Sequence, residues 1–503
     1  MEKSKIDYTL YLVTDSSLVP SHRTLVQTVK DSIDAGVTIV QLREKNLETL
    51  QFIRLATELL EITRAAGIPL LINDRLDVAL AVDADGVHIG QSDMPLAVAR
   101  KLLGPNKIIG VTVKTIEQAK QAVDGGADYL GIGTCFHTNT KKIESKPLGP
   151  SGVYKIIESL PVGTKTVTIG GIKESNAELV MKRCQGNGFG LNGLAVVSDI
   201  IAAPDVHLKV KALLTAIQRG LTTKEQIVYT QSDVSTKVEH LFLKLRKTTP
   251  LVHHITNFVV MNDTANATIA LGGSPIMAQN HEESFDLAEM INVLLLNIGT
   301  LNTEFVKGML SAGKHSKNKG VPVVLDPVGA GATALRKDTA RNLLNEISID
   351  IIKGNSGEIS TVAEKGNVEM KGVDSVGGAS DPAELVRYTA LKEKCVVAMT
   401  GVVDYVSDGF NTYSIENGHE YMGKITGSGC MTTTAIACYA AVCEQNYLIA
   451  AIAGIASIGI AGEIAAVRSD VKGPSTFKTA LIDEMYNLNV SVLKDRIKIK
   501  KIH

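Results

Sequence analysis

The sequence predicts an α/β protein in two parts, an N-terminal (β/α)8 barrel followed by a layered α/β domain. Three observations carry this. At 503 residues the chain exceeds what one hydrophobic core organises. Hydrophobic residues make up 45% and aromatics only 4%, with no tryptophan, so Ala, Val, Ile and Leu must build the core, as in parallel sheets buried on both faces. Short β-rich runs also alternate with helical patterns, and their spacing changes near residue 220.

The first strand candidates are YTLYLVTD (8–15), TIVQLRE (38–44), PLLIND (69–74) and GVHIGQ (86–91). IIGVTV (108–113), YLGIGTCF (129–136), KTVTIGGI (165–172) and GLNGLAVV (190–197) complete the set. Between them LETLQFIRLATELLEITRAAG places Leu50, Ile53, Ala56 and Leu60 at helical spacing, and Gly36 and Gly67 suit helix C-terminal caps. Eight such units in about 200 residues suggest a compact TIM barrel. Residues 219–235 lose the periodicity, which predicts domains at 1–220 and 237–503 with a linker at 221–236. Further strands are expected at VLLLNIG (293–299), VPVVLDPVG (321–329), IDIIKGN (349–355) and VVAMTG (396–401), in a mainly parallel sheet whose spacing does not fit a barrel.

Composition excludes several classes. A net charge of −1 provides no general field for nucleic acid or acidic membrane. The basic tail, Lys494 to Lys501, reads as a frayed, solvated terminus. The six cysteines form no CxxC or CxxH pair, which argues against structural zinc and a secreted disulfide framework. The first residues show no signal or transit pattern, so a cytoplasmic protein is expected. The apolar run Leu448–Gly462 is shorter than a bilayer span and is closed by Glu463 and Arg468, so it reads as a buried helix.

Catalytic groups of a barrel sit at the C-terminal strand ends. There the sequence places Gln41, Arg43 and Lys45 in QLREK, Asn73 and Asp74 in LLIND, Asp93 in GQSD, and Thr112. HTNTKK (137–142), the Gly170–Gly171 turn and Val197–Ser198 follow. Asp74 and Asp93 suit a hard cation such as Mg2+, which commonly bridges phosphates. Arg43, Lys45 and Lys141 supply the charge a diphosphate needs. The glycine turn and the last helix start offer backbone N–H groups to a second phosphate. Each aspartate taken singly is more often a helix cap. Their convergence at one rim favours a site.

QLREK, LLIND, GVHIGQSD, GADYLGIGTCFHTNTKK and TIGGI resemble thiamine-phosphate synthase over nearly all of residues 8–200. The resemblance implies coupling of an aminopyrimidine diphosphate with thiazole phosphate, through a pyrimidine carbocation that the thiazole nitrogen captures. It implies Mg2+ on Asp74 and Asp93. Gln41, Arg43, Lys45, Asn73, Thr112 and Lys141 would hold the pyrimidine diphosphate, and Thr138, Asn139, Thr140, Gly171, Val197 and Ser198 the thiazole phosphate. Thr112 stands where serine is usual, and His137 where proline is expected.

In the second half, ITGSGCMTT (425–433) runs a Gly-x-Gly turn into a helix, a geometry that points N–H groups and the positive helix end at one spot. Such a spot suits a transferring phosphoryl group, and a base beside it could take the proton of an attacking alcohol. Cys430 occupies that position. Alone it is more often a structural cysteine. Asp326 in LDPVGAGA and Asn355 and Glu358 in KGNSGEI could organise Mg2+ and ATP phosphates, or simply cap loops.

With LVHHITNFVVMNDTANATIALGGSPIMAQ (251–279), these motifs resemble hydroxyethylthiazole kinase over most of residues 240–480. The resemblance implies a ribokinase-like layered domain that phosphorylates the thiazole alcohol with MgATP. Asn257, Val259, Met277 and Gly427 would line the alcohol pocket, Lys353 and Thr400 would contact ATP, and Cys430 would accept the proton. Lys353 replaces the arginine of bacterial members. The family's trimers, with sites between subunits, imply a trimer-based homo-oligomer or a hexamer. Together the halves suggest a bifunctional enzyme with small-molecule partners only. The alternatives are a kinase half for another small alcohol, or one half serving as a thiamine-metabolite sensor.

Overall fold

The computed structural model describes residues 2–138, 147–186, 189–221, 229–364, 369–371, 374–376 and 381–502. They form two compact units, 1–224 and 225–503. In the first, β1 (Leu10–Val13), β2 (Ile39–Leu42), β3 (Leu70–Asn73), β4 (Gly86–Ile89), β5 (Ile108–Val113), β6 (Tyr129–Gly133), β7 (Thr166–Ile169) and β8 (Gly193–Val196) form a closed parallel barrel. Closure follows from β1 pairing with β8 as well as β2. Alternate residues of each strand serve different cores. Tyr11, Val13, Ile39, Leu71, Tyr129 and Val167 fill the barrel, whereas Leu10, Leu12, Val40, Leu42 and Leu70 pack outward against the helices.

The second unit holds β9 (Leu251–Ile255), β10 (Ser274–Ile276), β11 (Val293–Asn297), β12 (Val323–Asp326) and β13 (Ile351–Asn355). A short hairpin of β14 (Glu369–Lys371) and β15 (Asp374–Val376) precedes β16 (Val396–Thr400), β17 (Asp404–Ser407), β18 (Thr412–Ile415) and β19 (Ile499–Lys501). The main sheet runs β10-β9-β11-β12-β13-β16-β17-β18-β19. Its first six strands are parallel and the last three antiparallel, so the mixed sheet keeps the expected parallel centre. Val293 and Leu295 serve the core against helices Ser428–Ala440 and Tyr447–Ala466; Leu294 and Leu296 serve the core on the other face.

Three expectations need correction, and a fourth, the buried apolar helix, holds but with a different length and end. Leu50 is 60% exposed, and Phe52 takes the inward place with Ala56, Leu59 and Leu60. The stretch read as linker already contains a helix, Gln231–Thr248, because Thr230 and Asp233 form a reciprocal capping box at its start. The basic tail is not frayed: helix Val490–Arg496 is followed by β19, whose Ile499 is buried and pairs with Ile415. The apolar run becomes a 20-residue helix, Tyr447–Ala466, long and apolar enough to cross a membrane, yet its most apolar stretch is 89% buried within the protein. Glu463 lies inside it, where its carboxylate accepts from the Asn417 side chain at 3.1 Å.

His253 and His254 of β9 are buried, and each has an Nδ1 with no partner. Burial lowers both, His254 from 6.5 to about 3. Because the folded values are depressed, this stability is complete above pH 6.5 and is lost as pH falls toward 3. Hydrogen exchange of β9 amides in the full chain is expected to show local stability falling below pH 6.5 with a slope of up to about 1.4 kcal/mol per pH unit for each histidine. His254→Leu should reduce that slope; an unchanged slope would refute its assignment to His254.

Candidate active sites

At the mouth of the barrel, Arg43 and Lys45 lie just beyond the end of β2 at Leu42. Arg43 Nη1 lies 3.5 Å from Asp15 Oδ2, and Lys45 forms an ion pair with Asp74. Asp74 follows β3 with a left-handed φ of 62°, a conformation an aspartate tolerates better than most residues. Asp93 Oδ2 accepts from the Gly90 N–H at 2.7 Å. Burial, then the neighbouring Asp74, pushes the Asp93 carboxyl up. Two carboxylates so close are relieved by a shared cation. Among the described residues no cluster of three or more His, Cys, Asp or Glu could hold a metal, so further ligands would have to come from other groups, substrate or water. That donor set fits Mg2+, which retains waters and binds phosphate oxygens.

Gly170 and Gly171 follow β7 with φ of 101° and 64°. A Cβ at Gly171 would lie 2.5 Å from the His137 carbonyl oxygen, so glycine is what lets the segment after β6 approach this turn. Thr138 is half-buried beside His137, while Asn139, Thr140 and Lys141 lie outside the described residues. Asn73 closes β3, and Val197 and Ser198 lead from β8 into the short helix Ser198–Ile201.

Gln41 and Thr112 are joined through residues that the sequence reading missed. Gln41 Nε2 donates to the Tyr11 hydroxyl at 2.8 Å, and the Tyr11 and Tyr129 hydroxyls are 2.7 Å apart. His88 then links Tyr129, at 2.7 Å from Nδ1, to the Thr112 hydroxyl, at 2.8 Å from Nε2. A polar, inward-facing position on β1, β4 and β6 was the available signal.

In the second unit the site lies across the C-terminal ends of β9, β11, β12, β13 and β16. Gly427, with φ of 94°, precedes helix Ser428–Ala440. A Cβ there would meet Val260 at 2.9 Å. Cys430 Sγ accepts from Asn297 Nδ2 at 3.2 Å and lies 3.7 Å from Asn257 Nδ2. Burial, then the Asp326 charge, pushes this thiol up to about 12, against Lys353 and both asparagines. It is a thiol at neutral pH, so burial outweighs the helix end.

Lys353 is buried on β13 with Asp326, Glu358, Cys430 and Asp404 acting on it. Burial alone would lower its ammonium, but these acidic neighbours outweigh that and hold it up. Its Nζ lies 3.0 Å from where a Cβ at Gly429 would stand, so this cation borders the glycine turn. Asp326 Oδ2 accepts from Thr433 at 2.6 Å and Asn297 at 3.2 Å, whereas its buried Oδ1 has no partner. An unsatisfied carboxylate oxygen beside an anion turn fits a cation-phosphate ligand.

Asn355 and Glu358 cap helix Ser356–Ala363 reciprocally, and Glu358 Oε1 also accepts from Gly329 N–H at 2.8 Å. The capping alternative is therefore real for both. Thr400 faces Asn355 across the sheet. Asn257 Nδ2 donates to Asn297 at 2.9 Å, Val259 is 63% exposed, and Met277 is half-buried after β10. Asn297, Asp404 and Thr433 were missed by sequence reading. Asn297 ends a strand, and Thr433 lies one helical turn beyond Cys430.

The barrel with its cationic, carboxylate-lined mouth, joined to an α/β unit with a glycine anion turn, defines a two-domain transferase. Residues 10–200 match the model of the thiamine monophosphate synthase family, and residues 242–491 that of the hydroxyethylthiazole kinase family. A probable thiamine biosynthetic bifunctional enzyme of Schizosaccharomyces pombe is 40% identical over 98% of each chain. The thiamine biosynthetic bifunctional enzyme of Saccharomyces cerevisiae is 37% identical over 97% of this chain and 96% of its own. A hydroxyethylthiazole kinase of Desulfatibacillum aliphaticivorans is 44% identical over 51% of this chain and 95% of its own. The chain belongs to the family of bifunctional thiamine biosynthetic enzymes, with thiamine-phosphate synthase and hydroxyethylthiazole kinase domains.

Thr433→Val would remove one of the two donors to Asp326 Oδ2 while Oδ1 stays without a partner. It is expected to cost about 1–3 kcal/mol and to raise the kinase KM for MgATP. Thermal denaturation and steady-state kinetics would check this, and unchanged values in both would remove Thr433 from the site.

Proposed function

We propose that the second unit, a ribokinase-like domain, transfers the γ-phosphoryl group of ATP to 4-methyl-5-(2-hydroxyethyl)thiazole. The first unit then joins the thiazole phosphate to 4-amino-2-methyl-5-(diphosphooxymethyl)pyrimidine, releasing diphosphate and giving thiamine phosphate. The observation that carries this is the pairing, in one chain, of an Asp74/Asp93/Lys45 cluster with a glycine turn bordered by Lys353 and Cys430. We take the synthase domain as 1–220 and the kinase domain as running from helix Gln231–Thr248 to 503, in a cytoplasmic, trimer-based homo-oligomer.

In the barrel, Arg43, Lys45 and Lys141 bind the diphosphate, with Asn73 and Thr112 beside it. Thr138, Asn139, Thr140, Gly171, Val197 and Ser198 receive the thiazole phosphate. Asp74 and Asp93 would hold Mg2+, which when bound supplies charge neutralisation for the leaving diphosphate. Arg43 and Lys45 exchange their carboxylate partners for phosphate oxygens, so substrate binding is also a redistribution of ion pairs.

In the kinase domain Asn257, Val259, Met277 and Gly427 receive the thiazole alcohol. Lys353, Thr400, Asn355 and Glu358 face the nucleotide phosphates, and Asp326 would hold their Mg2+ through its unpartnered oxygen. Cys430 accepts the alcohol proton. Since its thiol lies near 12, the active thiolate fraction is lost at lower pH. The kinase rate is therefore expected to rise about tenfold per pH unit through neutrality; a flat profile would exclude Cys430 as the base.

The division of labour has a separate test. Purified protein is given the thiazole alcohol, pyrimidine diphosphate and MgATP, and thiamine phosphate is followed by chromatography. Cys430→Ala should lose at least about 100-fold in product formation and recover when thiazole phosphate is added. Asp93→Ala should not recover. ATP consumption with the pyrimidine alcohol instead would support the other kinase reading, and binding without turnover in either half would support a sensor.

A further inference from the structure

The chain of hydrogen bonds across the barrel floor has a direction, and that direction bears on which pyrimidine the site accepts. Tyr11, Gln41, His88, Thr112 and Tyr129 come from five different strands and form four consecutive bonds. Gln41, Tyr11, Tyr129 and His88 are all buried. The barrel is shaped around these rings. A Cβ at Gly110 would fall 2.1 Å from the Tyr129 ring, and one at Gly131 would fall 2.9 Å from His88 Cε1.

Each internal member has one hydrogen to place. Burial raises the phenols of Tyr11 and Tyr129 above the ordinary tyrosine value, so each keeps its single O–H proton. A neutral imidazole likewise donates from one nitrogen and accepts at the other. With the imidazole neutral and every one of these hydrogens placed within the chain, only two directions remain. In one, Gln41 donates to Tyr11, Tyr11 to Tyr129, Tyr129 to His88 Nδ1, and His88 Nε2–H to Thr112. The Gln41 carbonyl oxygen and the Thr112 hydroxyl hydrogen are then both left for a ligand. In the other, every bond reverses, the Gln41 amide turns over, and the ends become a Gln41 N–H donor and a Thr112 acceptor.

We propose that Tyr11, Tyr129 and His88 are positioning residues that fix the first direction and so make the site selective for an amino-substituted pyrimidine over its oxo analogue. This rests on the reading of the barrel as the pyrimidine diphosphate site. An exocyclic amino group donates to the Gln41 carbonyl, while the Thr112 hydroxyl donates to an acceptor of the same substrate, a ring nitrogen or a phosphate oxygen. A 4-oxo ring in its lactam form presents the opposite pattern, an acceptor oxygen beside a ring N–H. To satisfy it, all four bonds must reverse together, which makes the discrimination a property of the whole chain and not of Gln41 alone.

Two measurements on the full-length protein test this. With 15N-labelled histidine, and His88→Gln to assign the signal, the unliganded protein should show His88 as the neutral Nε2–H form. An Nδ1–H form overturns the proposal. Second, the coupling reaction is competed between the aminopyrimidine diphosphate and its 4-oxo analogue. Tyr129→Phe cuts the chain in the middle and lets each end choose its direction independently. Its preference for the amino compound should fall by about tenfold to a hundredfold, with kinase turnover unchanged. An unchanged preference overturns the proposal. If Tyr129→Phe loses the barrel altogether, Tyr11→Phe makes the same cut one bond earlier and is read by the same criterion. Wild-type protein that fails to couple the pyrimidine diphosphate overturns the reading of the barrel, and the substrate assignment with it, whereas the histidine signal still reports the chain's direction.

Discussion

A parallel strand covered on both faces has few positions for a polar side chain, and its C-terminal end is the most accessible of them. Strand after strand in both units obeys this constraint. β11 and β12 each run through apolar residues before ending in Asn297 and Asp326, and β3 does the same before Asn73 and Asp74. The strands of each sheet point the same way over this region, so these residues collect at one edge. The chemistry of both units follows from that collection.

The two sites handle charge differently. At the barrel mouth Lys45 remains about half exposed, and its pair with Asp74 can be exchanged at little cost. In the kinase unit Lys353, Asp326 and Glu358 are buried, and a buried charge without a partner is expensive. There the acidic groups outnumber the lysine. Burial pushes the carboxyls of Glu358 and Asp404 up to about 7, and raises Asp326 as well. Such a site favours an incoming cation, which supplies the missing positive charge.

Much of the architecture was legible from the residues. All eight barrel strands and four central strands of the second sheet lie within the runs read as strands, because β-rich segments bounded by glycine and polar residues survive packing unchanged. The strands of that sheet that escaped are the short edge strand β10, the interior strand β9, whose His253 and His254 interrupt its apolar run, and the antiparallel strands after β16. β17, β18 and β19 take their pairing from antiparallel neighbours, and β19 is recruited by Ile415 from more than eighty residues away in the chain. Leu50 shows the limit of helical periodicity, since the buried stripe that holds Ala56 and Leu60 begins at Phe52, two residues further on.

For the sites, the chain itself determined the candidate acids, cations and glycine turns, because strand ends and turn residues are local features. The tertiary structure alone decided which of them meet. It joined Gln41 to Thr112 through three buried rings, brought Asn297 to Cys430 from 133 positions away, and set Thr433 against Asp326. It also decided the state of Cys430. A helix start favours a thiolate, but only the packed surroundings show that burial and Asp326 prevail. Protonation depends on what encloses a group, and that enclosure is assembled from residues far apart in the chain.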